Sequence, residues 1–254
     1  MSRIIREVRT RPQPNTLECD GLPSLCYTDS YSRPAVTKRR QAVALQSSEG
    51  MMPTRGRKVL FMAVIVVIAI TVWLILAQNC PNAGIAFTKR ARQLHILKNR
   101  TALPMSSDFD SRVTLNSLLQ SGDDKDRWLT NHAARIQGEV IDVAYARPEA
   151  TNCFSPCRRD IHILIATQKP ARKNEQVVLE VTPNLRDWAA KQGIDWTEGS
   201  LRTQLIGHWC EFAGWLYFDV DHADESENTA ALNPNNWRAT AWELHPVTEI
   251  TVIR

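Results

Sequence analysis

The sequence predicts a mainly β fold: a five-stranded barrel with one helix before its fourth strand, preceded by short helices and one transmembrane helix. Three observations lead to this fold class. Residues 59–77 form an uncharged apolar run, apolar and polar residues alternate in five segments from residue 135 onward, and a helical pattern interrupts them at 184–193. The predicted domains are a basic tail at 1–58, the transmembrane helix at 59–77, a helical connector at 78–121 and the barrel at 122–254.

Charge divides the chain into a basic front and an acidic back. Residues 1–58 have a net charge of +6, residues 59–125 of +3 and residues 126–254 of −5. The first 58 residues are polar, contain scattered prolines and show no apolar period, so they are predicted to be disordered. Affinity for nucleic acid depends on clustered Lys and Arg, so the acidic barrel is not expected to bind it.

The apolar run at 59–77 has the length of a membrane crossing. A 19-residue helix rises about 28 Å, which is close to the roughly 30 Å hydrocarbon core. The segment "RGRK" at 55–58 gives it a positive flank, and Trp73 suits the far interface. It begins too far from the N-terminus and is too long for a signal peptide, and a buried core helix is the alternative. The basic tail favours a cytoplasmic N-terminus and a barrel outside the cytoplasm, with the lipid bilayer as a partner.

Short helices are expected in the connector. Residues 84–100 carry Ile85, Leu94 and Leu97 among basic residues, which predicts a helix on the membrane surface or in a stalk. The stretch 113–138 suggests two short helices, with a stop at Gly122 and a new N-terminus at the two aspartates that follow.

Five segments then read as strands. They are 134–146, 160–168, 176–183, 208–220 and 240–253. Gly138 in the first segment suggests a bend or bulge. In the last segment Trp242, Leu244, Ile250 and Val252 share an inward face, with Pro246 as a break between two half-strands. Residues 184–193 form the helix between the third and fourth strands, capped by Asn184 and ended by Gly193.

This order of elements resembles the OB-fold, a five-stranded Greek-key barrel. The run "RDIHI…VVLEVTP…AGWLYFD…WRATAWELHPVT" is also similar to a group of bacterial OB-like domains without an assigned reaction. The resemblance covers residues 122–254. It implies a membrane-anchored bacterial protein with a C-terminal OB-like domain, and it brings no catalytic residues with it.

Aromatic side chains are the first candidate binding residues. Trp209, Trp215 and Tyr217 fall on the outer face of the fourth strand, where OB barrels stack bases or sugars. The alternative is that helices cover this face. Arg238, Glu243 and His245, close together near the C-terminus, complete the candidate ligand-binding set.

Histidine and carboxylate side chains give a candidate metal site. Glu243 and His245 are two residues apart on one strand face, and His162 faces outward on the second strand. With His222 from the acidic stretch 219–228, they form a candidate metal or general-base site. The alternative is a histidine that satisfies the backbone beside Pro246 and a solvated acidic loop.

Cys153 and Cys157 are close enough in sequence for a short-loop disulfide, which an extracytoplasmic domain would allow. Pairing elsewhere, metal binding and a redox role are the alternatives. Cys210 is predicted to lie in the core.

The sequence therefore predicts a single-pass membrane protein that presents a barrel as a binding or assembly module. Another envelope protein or a small ligand is the expected partner, and neither a cofactor nor a catalytic activity is inferred. The alternatives are a metal-assisted enzyme that uses the His/Glu face, and an oligonucleotide-binding barrel, which would need a basic face.

Overall fold

The computed structural model describes the backbone of residues 3–4 and 54–254, and the side chains of residues 58–73 and 79–254. Nearly all of the tail predicted to be disordered lies outside the described residues. The first helix, α1, spans Thr54–Gln78 and contains the apolar run predicted at 59–77.

Apart from Lys58 and Thr71, the described side chains of α1 are apolar on every side of the helix, and all stand exposed. Its single hydroxyl, Thr71 Oγ1, donates to the carbonyl oxygen of Val67 at 2.8 Å. Across the described residues, no helix is both long enough and apolar enough to cross a membrane.

Five strands form a closed mixed barrel. They are β2 (Ala133–Tyr145), β3 (Ile161–Ala166), β4 (Val177–Val181), β5 (Trp209–Phe218) and β6 (Trp242–Val252). Antiparallel pairing joins β3 to β2 and β4, and joins β5 to β2 and β6. The barrel is completed by β6 and β4, which are parallel with Leu179 opposite Leu244. A two-residue strand, β1 (Arg3–Ile4), pairs antiparallel with the end of β6.

All five predicted strands are confirmed, each with ends within two residues of the expected positions. The long strand β2 serves two neighbours, because its first half pairs with β5 and its second half with β3. The bulge lies between Val140 and Asp142, just beyond the predicted bend. At Gly138 the reason for glycine is space, since a Cβ there would lie 3.0 Å from Leu115 Cδ2 and 3.1 Å from Ala166 O.

The predicted irregularity at Pro246 is a shift in pairing within one continuous strand. Leu244 faces Leu216, whereas Val247 faces Gly214, so the β5–β6 register shifts across the proline. A Cβ on Gly214 would lie 2.6 Å from Pro246 O, which leaves room only for glycine at this crossing.

Two helices connect β4 to β5. The predicted helix is α4 (Pro183–Lys191), and its cap is Thr182 rather than Asn184, because Pro183 suits the first helical position. Gly193, with φ of +74°, follows its end as predicted. The second helix, α5 (Glu198–Leu205), was not predicted, although Leu201 and Leu205 give it a buried stripe.

The connector packs against the barrel. Its helices are α2 (Lys89–Lys98) and α3 (Leu115–Leu119), and short 3₁₀ turns lie elsewhere at 106–108, 150–152, 173–175 and 220–225. The second helix expected after Gly122 is absent from residues 120–132. Asp124 is buried there instead, and its carboxylate accepts hydrogen bonds from Thr240 Oγ1 and Ala241 N at 2.6 and 3.1 Å.

The apolar core lies inside the barrel and under α3, α4 and α5. From β6 it takes Trp242, Leu244, Val247 and Ile250, and Val252 packs at its margin, which confirms the predicted inward face. Cys210 is a buried free thiol in this core, as predicted, and burial raises its pKa to about 12.

Candidate functional site

The outer face of the barrel around β6 carries ionisable side chains that are nevertheless buried. His162 on β3 lies opposite Glu180 on β4, and the parallel β4–β6 contact brings Glu180 beside Glu243 and His245. We call these residues and their charged contacts the polar cluster. It consists of Lys98, Asp160, His162, Glu180, Asp219, Arg238, Glu243 and His245.

Arg238 is the central cation of the polar cluster. It is only 1% exposed and donates through Nη1 to Glu243 Oε1, through Nη2 to Asp219 Oδ2 at 3.0 Å and through Nε to Ser226 Oγ at 2.9 Å. A buried guanidinium needs such partners, because an unpaired buried charge is strongly disfavoured. The contact with Glu243 fastens the long β5–β6 connection to β6, whereas those with Asp219 and Ser226 lie within the connection.

Glu180 links two histidines. Its Oε1 lies 3.0 Å from His162 Nε2, and its Oε2 lies 3.3 Å from His245 Nδ1. His245 Nδ1 is also 3.3 Å from Glu243 Oε2. These are ion-pair distances, and the described residues supply no hydrogen bond of good geometry to His162 Nε2 or Glu180 Oε2.

The loop between β2 and β3 and the connector complete the cluster. Asn152 Nδ2 donates to Asp160 Oδ2 at 2.8 Å, and Lys98 Nζ pairs with Glu149 Oε2 at 3.2 Å. Lys98 also lies over the Tyr217 ring, which in turn contacts the ring of His245.

The polar cluster reaches the surface at three rings, which we call the exposed edge: His162, His222 and Trp237. The His162 side chain is 25% exposed and stacks on Trp237 with ring centroids 6.2 Å apart. The His222 side chain is 37% exposed, meets the same indole edge-on at 6.1 Å, and places Nδ1 2.7 Å from Asp219 Oδ2. Each imidazole is thus backed by a buried carboxylate.

Burial and charge shift the pKa values of these groups strongly. Burial lowers the pKa of His162, but the charge and close contact of Glu180 together with the charges of Glu243 and Asp160 outweigh this and raise it to about 9. Burial and then the charge of Glu180 raise the pKa of Asp160 to about 7. Burial raises the pKa of Glu180 less than His245 and His162 lower it, so this carboxyl stays ionised at neutral pH. Burial also raises the pKa of Glu243, and although burial lowers the pKa of His245, Glu180 and Glu243 together raise it. The cluster therefore contains carboxyl and imidazole groups that can hold protons near neutrality.

The structure divides the predicted ligand-binding residues. Arg238, Glu243 and His245 come together, with Tyr217 beside His245. Tyr217 is only 1% exposed, which agrees with a covered face rather than an open stacking face.

The two tryptophans predicted with them are half-buried, and an arginine lies over each ring. The Trp215 indole donates to Ala102 O at 2.7 Å and lies under Arg100, so the connector covers it. Trp209 lies under the Arg254 guanidinium.

The predicted metal set is also regrouped. His162 and His222 lie at the exposed edge, whereas Glu243 and His245 lie beneath it. Among the described residues, the group with ligand spacing is Asp160, Glu180 and His245, whose ligand atoms lie within 4.8 Å of one another. The prediction that His162, His222, Glu243 and His245 form one metal site is therefore wrong, and only His245 belongs to the observed group.

The acidic stretch after β5 is partly structural. Asp219 is buried against Arg238, whereas His222 is half-buried and Asp221 and Asp224 are exposed. It is therefore neither a fully solvated loop nor a set of carboxylates that all turn to one point.

The predicted disulfide between Cys153 and Cys157 is wrong. Cys153 pairs with Cys80, 73 residues earlier, and Cys157 is also disulfide-bonded. The backbone around Cys153 explains the choice, because Ile85 N donates to Ala150 O at 2.8 Å and thereby aligns the two chain segments. The bridge ties the connector to the loop that contains Asn152.

Asp160, Glu180, Lys98 and Trp237 were missed by sequence reasoning. Glu180 did carry a signal, because it is the single charged residue in "VVLEV", a strand buried on both faces. Lys98 carried none, since its burial depends on how the connector packs. No protein-family model matches this chain, and no curated protein sequence matches it significantly.

Proposed function

We propose that this chain is a single-pass membrane protein whose OB-like barrel binds a ligand or partner at the exposed edge. The observation that carries the proposal is the polar cluster itself. Apart from Lys98, which lies in α2, its residues come from the second, third and fifth barrel strands and from the loops after the first and fourth. OB-folds bind their ligands with the face of strands two and three and with these same two loops.

The strand connections support the OB assignment. Counted within the barrel, the strands pair in the order 1-2-3-5-4-1, with strands three and five parallel and the helices between strands three and four. A mixed, closed five-stranded barrel with this crossover matches the Greek-key description of the fold.

The membrane anchor is supported by α1. Its run at 59–77 is uncharged and apolar all round, a pattern that suits either a deeply buried helix or a membrane helix. The Cys80–Cys153 disulfide supports a barrel outside the cytoplasm, because disulfides persist in oxidising compartments.

A single crossing at 59–77 has a topological consequence. It would place residues 3–4 and residues 251–252 on opposite sides of the bilayer, so the pairing of β1 with β6 would not form within one anchored chain. The anchor and this intramolecular pairing therefore exclude one another, and one experiment separates them.

Cysteine labelling in intact cells tests the anchor. Ile4→Cys and Thr251→Cys are each treated with a membrane-impermeant maleimide before and after permeabilisation, and the unsubstituted chain gives the background. We expect residue 251 to react in intact cells and residue 4 only after permeabilisation. Equal accessibility of the two sites would refute the single crossing.

Photo-crosslinking tests the binding site. A photoreactive amino acid replaces Trp237 at the exposed edge or, as a control, Arg172 in the exposed β3–β4 turn, both in native membranes. We expect a discrete adduct at 237 and none at 172, with mass spectrometry giving its chemical class. The same adducts from both positions, or none at 237, would contradict the proposal.

A second candidate function is metal-assisted hydrolysis. The observation that favours it is the Asp219–His222 pair at the surface, since a carboxylate on Nδ1 orients Nε2 for proton transfer. If this function is correct, the purified chain with Mn²⁺ hydrolyses a nitrophenyl phosphodiester or ester, and His222→Asn abolishes the activity. A turnover that survives His222→Asn would exclude this pair as its base.

A further inference from the structure

Three residues of the polar cluster have a common unsatisfied need. Among the described residues, Asp160 Oδ1, Glu180 Oε2 and His245 Nε2 are each buried and have no hydrogen-bond partner. Buried polar atoms are normally paired, and leaving one unpaired costs about 1–3 kcal/mol. Three such atoms on neighbouring side chains point to something that all three would bind.

The remaining polar atom of each residue is held by a neighbour. Asp160 Oδ2 accepts from Asn152 at 2.8 Å, Glu180 Oε1 lies 3.0 Å from His162, and His245 Nδ1 lies 3.3 Å from Glu243. Metal ligands are commonly oriented in this way by a second layer of carboxylates, amides and imidazoles.

Charge also favours a cation here. Four buried carboxyl groups of the cluster, on Asp160, Glu180, Asp219 and Glu243, face two buried permanent cations, Lys98 and Arg238. Arg238 is already engaged by Asp219 and Glu243. The negative charge of Asp160 and Glu180 is then neutralised either by protons on the imidazoles and on Asp160 or by a divalent ion.

We propose that Asp160, Glu180 and His245 bind one divalent metal ion. Two carboxylate oxygens and one imidazole nitrogen are a ligand set for first-row divalent ions such as Mn²⁺ and Zn²⁺. Each residue offers one ligand atom, an imidazole nitrogen or a carboxylate oxygen, within 4.8 Å of the other two, and Glu180 Oε2 itself lies 3.3 Å from His245 Nδ1. Bonds of about 2.1 Å would draw them together by roughly 1 Å, which small side-chain rotations accommodate. Water or a ligand oxygen completes the coordination.

This inference does not rest on the binding role or the membrane anchor proposed above. The metal lies beneath the exposed edge, where the His162 side chain, a quarter exposed, separates Glu180 from solvent. Metal binding and crosslinking at Trp237 are separate measurements, so either can fail without the other.

The test measures metal in the full chain in detergent after chelator treatment. Zn²⁺ and Mn²⁺ are titrated separately by calorimetry, and bound metal is counted by mass spectrometry. We expect one ion per chain, and at least a tenfold weaker affinity in Asp160→Asn and in Glu180→Gln. Asp124→Asn is the matched control, because it alters a buried carboxylate outside the cluster and should bind metal like the unsubstituted chain.

The Mn²⁺ form gives a readout that needs no variant. Electron spin echo spectra of the unsubstituted chain should show coupling to one imidazole nitrogen. No stoichiometric binding, two or no coupled imidazoles, or full affinity in both folded variants would overturn the proposal.

Discussion

From Trp242 to Thr248, both faces of β6 are buried, and they are chemically opposite. Trp242, Leu244 and Ile250 point into the barrel among apolar side chains, whereas Glu243 and His245 point outward among ionisable groups. Both outward residues are 0% exposed. Burial of the first set stabilises the fold by the hydrophobic effect, roughly 25 cal/mol for each Å² of apolar surface.

Burial of the outward set, Glu243 and His245, makes an unfavourable contribution to the free energy of folding. Removing charges from water costs several kcal/mol per ion, and the pairing of Arg238 with Glu243 and Asp219 offsets this only because the geometry is close. Apolar residues of similar volume would often serve stability as well or better. Stability alone therefore does not account for the buried charges of the outer face, which the binding role proposed above would explain.

Replacing Arg238 with methionine should produce the largest effect. Arg238→Met leaves Asp219 and Glu243 buried without their cation, and we expect the free energy of unfolding to fall by about 3–5 kcal/mol at pH 7. The loss should be smaller at pH 4, where protonation relieves the unpaired carboxylates. Denaturant unfolding at both pH values measures it.

Leu244→Ala is the matched change on the inner face. It should cost about 2–5 kcal/mol through loss of packing, equally at pH 4 and pH 7. If Arg238→Met shows the same pH-independent loss, or none, then charge does not distinguish the two faces.

Opening the Cys80–Cys153 disulfide should have the next largest effect. This bridge ties the connector to the β2–β3 loop at the outer face. Cys80→Ser with Cys153→Ser should lower the free energy of unfolding by about 2–4 kcal/mol. Hydrogen exchange should rise at 149–153, the segment that contains Asn152, and stay unchanged in β5. A uniform rise in hydrogen exchange across the whole barrel would mean that the bridge stabilises the barrel core rather than the contact between the connector and the β2–β3 loop.

The smallest effect expected is a pH dependence from His162. Its pKa is raised to about 9, so its stabilising contribution is complete below its unfolded pKa of about 6.5 and is lost as pH rises through 9. Allowing for its partial exposure, we expect a loss of about 1–2 kcal/mol between pH 6.5 and 9. Thermal unfolding across this range measures it.

His162→Gln should flatten that dependence, whereas His95→Gln in α2 should leave it unchanged. A slope that persists in His162→Gln would assign the proton to another group. Asp160, with its pKa raised to about 7, also loses stability with rising pH, but mainly below pH 7.

The barrel could be predicted from the sequence because its information is local. Alternation along β2 to β6 gave each strand and its inward face, and Thr182, Pro183 and Gly193 mark the ends of α4. The helix expected after Gly122 was wrong because Asp124 caps the distant segment 240–242. No local pattern contains that contact.

The candidate site was only partly predictable, for the same reason. Glu243 and His245 share a strand face, which spacing alone shows. Glu180 joins them through a parallel pairing of strands more than sixty residues apart, and Lys98 arrives from the connector. The disulfide likewise joins Cys80 and Cys153, which are 73 residues apart. Spacing along the sequence favoured the nearer Cys157, which is not the partner of Cys153.

The most direct test of the outer face as a binding site replaces one of its ion pairs with apolar residues. In the double variant His162→Leu with Glu180→Leu, an ion pair whose carboxylate is buried and whose imidazole is a quarter exposed is replaced by apolar side chains. We predict a free energy of unfolding that is unchanged or about 1–4 kcal/mol higher, together with loss of metal binding and of the adduct at residue 237. A variant that is several kcal/mol less stable yet still binds metal and forms the adduct would contradict the account.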